Sequence, residues 1–265
     1  MSSPLVTLLS DFGLQDEYVA VMKGVILEIC PTARLLDISH LIAPQDVRSA
    51  AFVLYASHKY FPPGTIHLAV VDPGVGTDRR AVAIRTGTSF LVGPDNGLFS
   101  LLLKSQTDWE ARRLENAQLR RTPVSSTFHG RDIFAPAAAH LARGVPFESL
   151  GRLCGLISPP WAEPVIGKEV IQGQVIHIDR FGNSVTNVAI EVLRQKAPVE
   201  KWVVRAGGWA VSMAKTYGEV GAGEALALAG STGFIEIAVN QGSAASKLKL
   251  HPGSEVTFRL SHPAA

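Results

Sequence analysis

The segment Asp72-Pro73-Gly74-Val75-Gly76 sets a carboxylate beside two glycines, with Arg79 and Arg80 close behind. Glycine allows backbone conformations and close approaches that a β-carbon resists, so Asp72 could stand at the edge of a bound ligand. A guanidinium beside it would supply a counter-charge and fixed donors able to hold a water. The same tripeptide is ordinary turn chemistry, and a surface ion pair contributes little. Further along, Phe128-His129-Gly130-Arg131-Asp132 precedes an alanine-rich stretch. His129 at a helix entrance could orient a water, with Asp132 as a helix cap, or it could be structural.

Three other segments carry groups suited to binding. Ser10-Asp11-Phe12-Gly13 follows an apolar run, which puts Asp11 at the carboxyl end of a strand, where open α/β sheets hold ligands. Its carboxylate would suit a ribose diol; otherwise it ends the strand or caps the next helix. Asp179-Arg180-Phe181-Gly182-Asn183-Ser184 interrupts two strand patterns with a carboxylate, a ring and an amide. That mixture could bind an amine and a heterocycle, or form a hairpin with a glycine bulge. Tyr217 could stack on a base or simply pack, and Ser231 could hold a carboxylate or shape its glycine turn.

Several chemistries are argued against. The spelling Asp11-Phe12-Gly13 has no glycine-rich loop, strand lysine or HRD loop of a kinase with it. No HExxH, paired histidines or cysteine cluster accompanies His129 and Asp132, so no metal is expected. Cys30 and Cys154 are far apart and read as buried free thiols. Lys plus Arg number 25 against 23 for Asp plus Glu, a net +2 scattered along the chain, so nucleic acid is not an expected partner. No apolar run reaches membrane-spanning length and the first residues lack a signal-peptide pattern, so a cytoplasmic chain is expected.

The elements that must position these residues fall into two grammars. The 265 residues are 46% hydrophobic, enough for a packed core. In the first part strands at Val6 to Leu9, Ala33 to Ile38, Ile66 to Val71, Ala81 to Arg85 and Phe90 to Gly93 alternate with helical patterns. Those helices are expected at Glu17 to Cys30, Asp46 to Tyr60, Leu98 to Leu103 and Asp132 to Leu141. This predicts an α/β sandwich-like domain over residues 1–160 with a central, mostly parallel sheet. After Ser158-Pro159-Pro160 strands dominate, at Val170 to Ile178, Trp202 to Val204, Ala225 to Leu228, Phe234 to Val239 and Val256 to Leu260, with a short helical cap at Ser243 to Leu248. A small β-barrel domain over 168–265 is expected.

Taken in order, SDFG, DPGVGTDRR, FHGRD, IDRFGNSVTN and GSTGFIEIAVNQGSA resemble the S-adenosylmethionine hydroxide adenosyltransferases, also called adenosine-forming S-adenosylmethionine hydrolases. The resemblance runs from about Val6 to Val256. It implies an α/β amino-terminal domain, a carboxy-terminal β-barrel and a homotrimer whose sites lie where one subunit's first domain meets its neighbour's second. It implies that S-adenosylmethionine is the substrate, that no cofactor is needed, and that Asp72, Arg79 and His129 hold the attacking water. By the same resemblance Asp11 binds ribose, Asp179 the methionine amine, Phe181 and Asn183 adenine, and Ser231 the carboxylate, with Tyr217 a further substrate contact. Thr232 stands where the related fluorinase has an arginine. Fluorinases and chlorinases carry a tyrosine in place of Asp72, and a carboxylate there would repel a halide. The alternatives to a hydrolase are a non-catalytic sensor of the same ligand or a halogenase.

Overall fold

The computed structural model describes residues 3–261. Contacts divide the chain into a first unit ending at Ser158 and a second beginning at Pro159.

The first unit runs β1 (Leu5–Ser10), α1 (Tyr18–Ile29), β2 (Arg34–Ser39), α2 (Val47–His58), β3 (Thr65–Val70), β4 (Ala81–Thr86), β5 (Ser89–Pro94), α3 (Ser100–Lys104), β6 (Trp109–Arg113) and α4 (Ala135–Ala142). Its sheet has the order β2-β1-β3-β5-β4-β6. The first four strands in that order pair in parallel, and β4 runs antiparallel to both neighbours. The sheet is therefore mostly parallel, as read from the alternation of strands and helices.

Both faces are covered, which explains the nearly unbroken burial of β1 and β3. Val6 and Leu8 of β1 pack with Met22 and Ile26 of α1 and Ala138 of α4. Leu9, on the opposite face, packs with Ala50 and Leu54 of α2 and Leu102 of α3. Helix α2 starts where Asp46 accepts the Ser49 N–H at 3.0 Å, a cap contributing about 1 kcal/mol.

In the first unit sequence periodicity misjudges two places. The helix expected from Asp132 begins as a π turn over Gly130–Phe134, and α4 proper starts at Ala135. Pro136 has no N–H to give, so the Asp132 carbonyl instead accepts the Arg121 N–H at 2.9 Å. Asp132 is no helix cap either: its buried carboxylate accepts the Ser125 N–H at 2.8 Å and pairs with Arg131. Glu110, Arg112 and Arg113 mask the alternation of strand β6, which only its edge pairing with β4 reveals, setting Arg85 opposite Glu110.

The second unit contains β7 (Val165–Ile166), β8 (Val170–Ile178), β9 (Ser184–Ala189), α5 (Ile190–Arg194), β10 (Trp202–Ala206), β11 (Trp209–Ser212), β12 (Ala225–Ala229), β13 (Phe234–Val239), α6 (Ala244–Leu248) and β14 (Glu255–Leu260). Its strands follow the order β11-β10-β14-β8-β9-β13-β12, with every neighbouring pair antiparallel. A bridge from Met213 to Ala227 brings the far edges together, so the sheet is a nearly closed barrel. Trp202, Val204, Ile235 and Phe258 fill its core.

Candidate active site

Strands β2 and β3 lie on opposite sides of β1, so the winding of the first unit reverses at β1. Open α/β sheets bind ligands at such a reversal, outside the carboxyl ends of the strands. Ser10 stands opposite Val70 in the pairing of β1 with β3, so the residues that follow these strands emerge side by side. Those residues are Asp11 and Asp72. Together with Phe12, Tyr18, Phe128 and His129 they line a cavity of about 370 Å³.

Arg79 links the polar groups of this cavity. Its Nε donates to both Asp72 oxygens, at 2.8 and 3.0 Å, and its Nη2 donates to Asp72 Oδ2 and, at 2.7 Å, to His129 Nδ1. A guanidinium has no acceptor, so Nδ1 must accept and the ring proton resides on Nε2. Burial first, and the Arg79 charge second, push the His129 pKa below its ordinary value. His129 is thus a neutral imidazole with a fixed tautomer. The Asp72 and Arg79 side chains are only 6% and 10% exposed, so solvent screens their pair little. Arg79 does not itself line the cavity; it stands behind Asp72 and His129. Arg80 points elsewhere and pairs with buried Asp95.

The loops that carry these groups are locked together. Gly76 has φ +77°, and a β-carbon there would lie 2.4 Å from the Ser126 carbonyl oxygen, so only glycine lets the two loops touch. Asp132 ties down the same 125–128 segment through the Ser125 N–H. Burial raises the Asp132 pKa, but hydrogen bonds from Arg131 and Ser125 outweigh it and leave the carboxyl below its ordinary value. Asp11 accepts the N–H of Gln45 at 2.8 Å, and Gln45 adopts a left-handed φ of 66°. Asp11 does not cap α1, whose first residue is preceded by Glu17 with no side-chain cap.

A second cavity, of about 760 Å³, lies in the second unit and is lined by Asp179, Phe181, Asn183, Tyr217, Ser231 and Glu236 among others. Asp179 shapes the turn between β8 and β9: its Oδ1 accepts the N–H groups of Phe181 and Asn183, each at 2.9 Å, and its Oδ2 accepts Asn183 Nδ2 at 2.9 Å. The hairpin is therefore real, and it holds Phe181 out with 77% of its surface exposed. Sequence reasoning missed Glu236, which accepts a short hydrogen bond from the Tyr217 hydroxyl. The available signal was a lone acid inside the apolar run Phe234 to Val239, a costly placement unless the carboxylate has a partner. Burial pushes the Glu236 carboxyl up, and burial together with Glu236 pushes the Tyr217 phenol up.

Among the described residues no group of three or more His, Cys, Asp or Glu side chains could hold a metal ion, and no helix is long and apolar enough to cross a membrane.

Comparison with known proteins decides the family. Residues 6–151 match the SAM hydroxide adenosyltransferase N-terminal domain and residues 173–257 the corresponding C-terminal domain. The chain belongs to the SAM hydroxide adenosyltransferase family. One family relative, from Thermus thermophilus, is called (R)-S-adenosyl-L-methionine hydrolase and is 45% identical over 95% of this chain and 98% of its own. A crystal structure described as an uncharacterized conserved protein from Thermotoga maritima superposes with a TM-score of 0.85 at 39% identity, covering 96% of this chain and 99% of that one. A protein called fluorinase, from Nocardia brasiliensis, is more distant, at 27% identity over 97% of both chains. Membership in this adenosyltransferase family accords with the α/β unit followed by a barrel-like unit.

Proposed function

We propose that this protein hydrolyses S-adenosyl-L-methionine to adenosine and L-methionine by in-line attack of water on the ribose C5′. The observation that carries this reading is that Arg79 ties Asp72 to His129 from behind, and that Asp72 and His129 both line the cavity that Asp11 also lines. The relatives called (R)-S-adenosyl-L-methionine hydrolase, at 38% to 45% identity, support it.

The chemistry requires little machinery. A sulfonium leaves as a neutral thioether, so the leaving group needs no general acid. The attacking water donates one hydrogen to the Asp72 carboxylate and accepts a hydrogen bond from His129 Nε2–H, which leaves a lone pair aimed at carbon. As the new O–C5′ bond forms and the C5′–S bond breaks, the water's proton passes to Asp72 and then to solvent. Arg79 holds both partners in place from behind and stabilises the negative charge of Asp72. Asp11 fixes the ribose hydroxyls and so the direction of C5′.

In this reading the second cavity supplies the rest of the substrate's contacts. Asp179 takes the methionine ammonium, Phe181 and Asn183 take adenine, Ser231 takes the carboxylate, and Tyr217 adds a contact beside Asp179. The assembly we propose is a homotrimer in which one subunit's first unit meets its neighbour's second and covers the Phe181 ring, 77% of whose surface is exposed in the single chain. The enzyme works in the cytoplasm and needs no cofactor. Light scattering on the active fraction tests the assembly: full activity in a folded monomer would overturn it.

Product analysis tests the function. Purified protein incubated with S-adenosylmethionine and EDTA, with and without chloride, is expected to yield adenosine and methionine in equal amounts under both conditions. 5′-Chloro-5′-deoxyadenosine in the chloride sample would identify a halogenase, and tight binding without products a sensor.

A further inference from the structure

A second polar chain lies beneath the first cavity, and the reaction as described does not use it. Ser10, the last residue of β1, is fully buried, and its Oγ stands 2.7 Å from His40 Nδ1. His40 is itself buried; its Nε2 lies 3.1 Å from Asp37 Oδ1, close enough for charge attraction though not aligned as a hydrogen bond. Asp37, within β2, accepts a hydrogen bond from Lys23 Nζ of α1 at 2.7 Å. Burial raises the Asp37 pKa, but the hydrogen bond from Lys23 and the nearby His40 outweigh it and leave the carboxyl below its ordinary value.

The order serine, histidine, aspartate is that of a nucleophile relay, but Ser10 has 0% exposure and no substrate can reach it. The relay faces the backbone instead. Ser10 Oγ accepts the Phe12 N–H at 3.3 Å, and the His40 carbonyl accepts the Gly13 N–H at 2.8 Å. His40 therefore grips the 10–13 loop on both sides of Asp11, once through Ser10 and once through its own carbonyl.

We infer that His40, backed by Asp37 and Lys23, is a positioning residue that fixes Asp11 in the orientation its ligand requires. The inference rests on the proposed role of Asp11 toward ribose. A buried imidazole bonded to Ser10 at one nitrogen and facing Asp37 at the other has few alternative arrangements, and a small error in loop position is costly when Asp11 must aim a reacting carbon. Lys23 serves as the surface end of the chain, neutralising the carboxylate that attracts the imidazole.

A double-mutant cycle tests this with His40→Ala, Asp11→Asn and the combination, read as kcat, KM and the dissociation constant of adenosine. His40→Ala is expected to lower kcat about tenfold with KM little changed, and to cost almost nothing further once Asp11 is Asn, since residues acting through one group are not additive. His40→Gln, which keeps a polar group in place, should restore part of the loss. Should His40→Ala fail to fold, judged by its melting curve, Asp37→Asn keeps the volume and removes the charge, and should show the same dependence on Asp11. Equal losses in the presence and absence of the Asp11 carboxylate, or unchanged kcat, would overturn the inference. If wild type makes no adenosine the hydrolase reading fails by itself, and the cycle is then decided on adenosine affinity. A wild type that binds no adenosine would overturn the role of Asp11 and this inference with it.

Discussion

Arg79 Nη2 stands 2.7 Å from His129 Nδ1 while Arg79 Nε stands 2.8 Å from Asp72 Oδ1. One guanidinium thereby sets the distance between a carboxylate and an imidazole that lie 57 positions apart in the chain, and it dictates which imidazole nitrogen carries the proton. The planar fork is what makes this possible. Arg79→Lys would leave a charge but not the two directed contacts, so kcat is expected to fall by about 10² to 10³ with KM changed much less. Steady-state kinetics on a variant with a normal melting temperature checks this; activity within a few-fold of wild type would contradict it.

The tautomer carries a pH consequence. His129 has a pKa lowered chiefly by burial and then by Arg79, so it stays neutral to a lower pH than a free imidazole does. Protonation at Nδ1 would turn a second donor against Arg79 and dismantle the junction. The acid limb of kcat is therefore expected below the ordinary imidazole value of about 6.5, and His129→Gln should remove that limb while lowering the plateau. A limb at or above the ordinary value, or one that persists in the variant, would contradict the assignment.

Stability should carry its own signature from His67. This residue of β3 is buried, its Nδ1 stands 2.7 Å from Thr7 Oγ1, and burial, then His58, lowers its pKa to about 4. The unfolded chain takes up this proton near 6.5, the folded chain only near 4. Between those values the unfolded state binds more protons, so its contribution to stability is complete above the window and declines as pH falls through it, by up to about 1.4 kcal/mol per pH unit. Denaturation midpoints measured from pH 7 to 4 should show this slope in wild type and a shallower one in His67→Gln.

In the second cavity Glu236 and Asp179 present two carboxylates to one space. On the proposed placement of the methionine ammonium in this cavity, the amine is held equally before and during reaction, so Glu236→Gln should raise KM by about three- to tenfold and leave kcat nearly unchanged. Tyr217→Phe, which removes the partner of a carboxylate partly withdrawn from water, should act in the same direction. A fall in kcat with constant KM in either variant would place these side chains nearer the reacting atoms than described.

Much of this was readable from residue types. Strand alternation and the carboxyl-end positions of Asp11 and Asp72 indicated where a ligand would lie, because a parallel sheet with covered faces leaves only its ends open. The choice of Arg79 over Arg80 was legible through resemblance alone; the spacing could not tell two adjacent arginines apart, and Asp95, which takes Arg80, is remote from it in sequence. Asp132 read as a cap because helix signals are local, whereas its fate depends on Pro136 and on a loop preceding it. The His40 relay was invisible for the same reason: β1, β2 and α1 must first assemble before Ser10, His40, Asp37 and Lys23 meet. Glu236 passed as a strand residue since nothing in its neighbours names Tyr217 as its partner.

The central claim is that water, held by Asp72 and His129, attacks C5′. Running the reaction in ¹⁸O-labelled water and weighing the products by mass spectrometry tests it most directly. The account predicts one labelled oxygen in the 5′-hydroxyl of adenosine, none in methionine, and no labelled adenosine from Asp72→Ala. Unlabelled adenosine, or label in the amino-acid product with methylthioadenosine released instead, would contradict it.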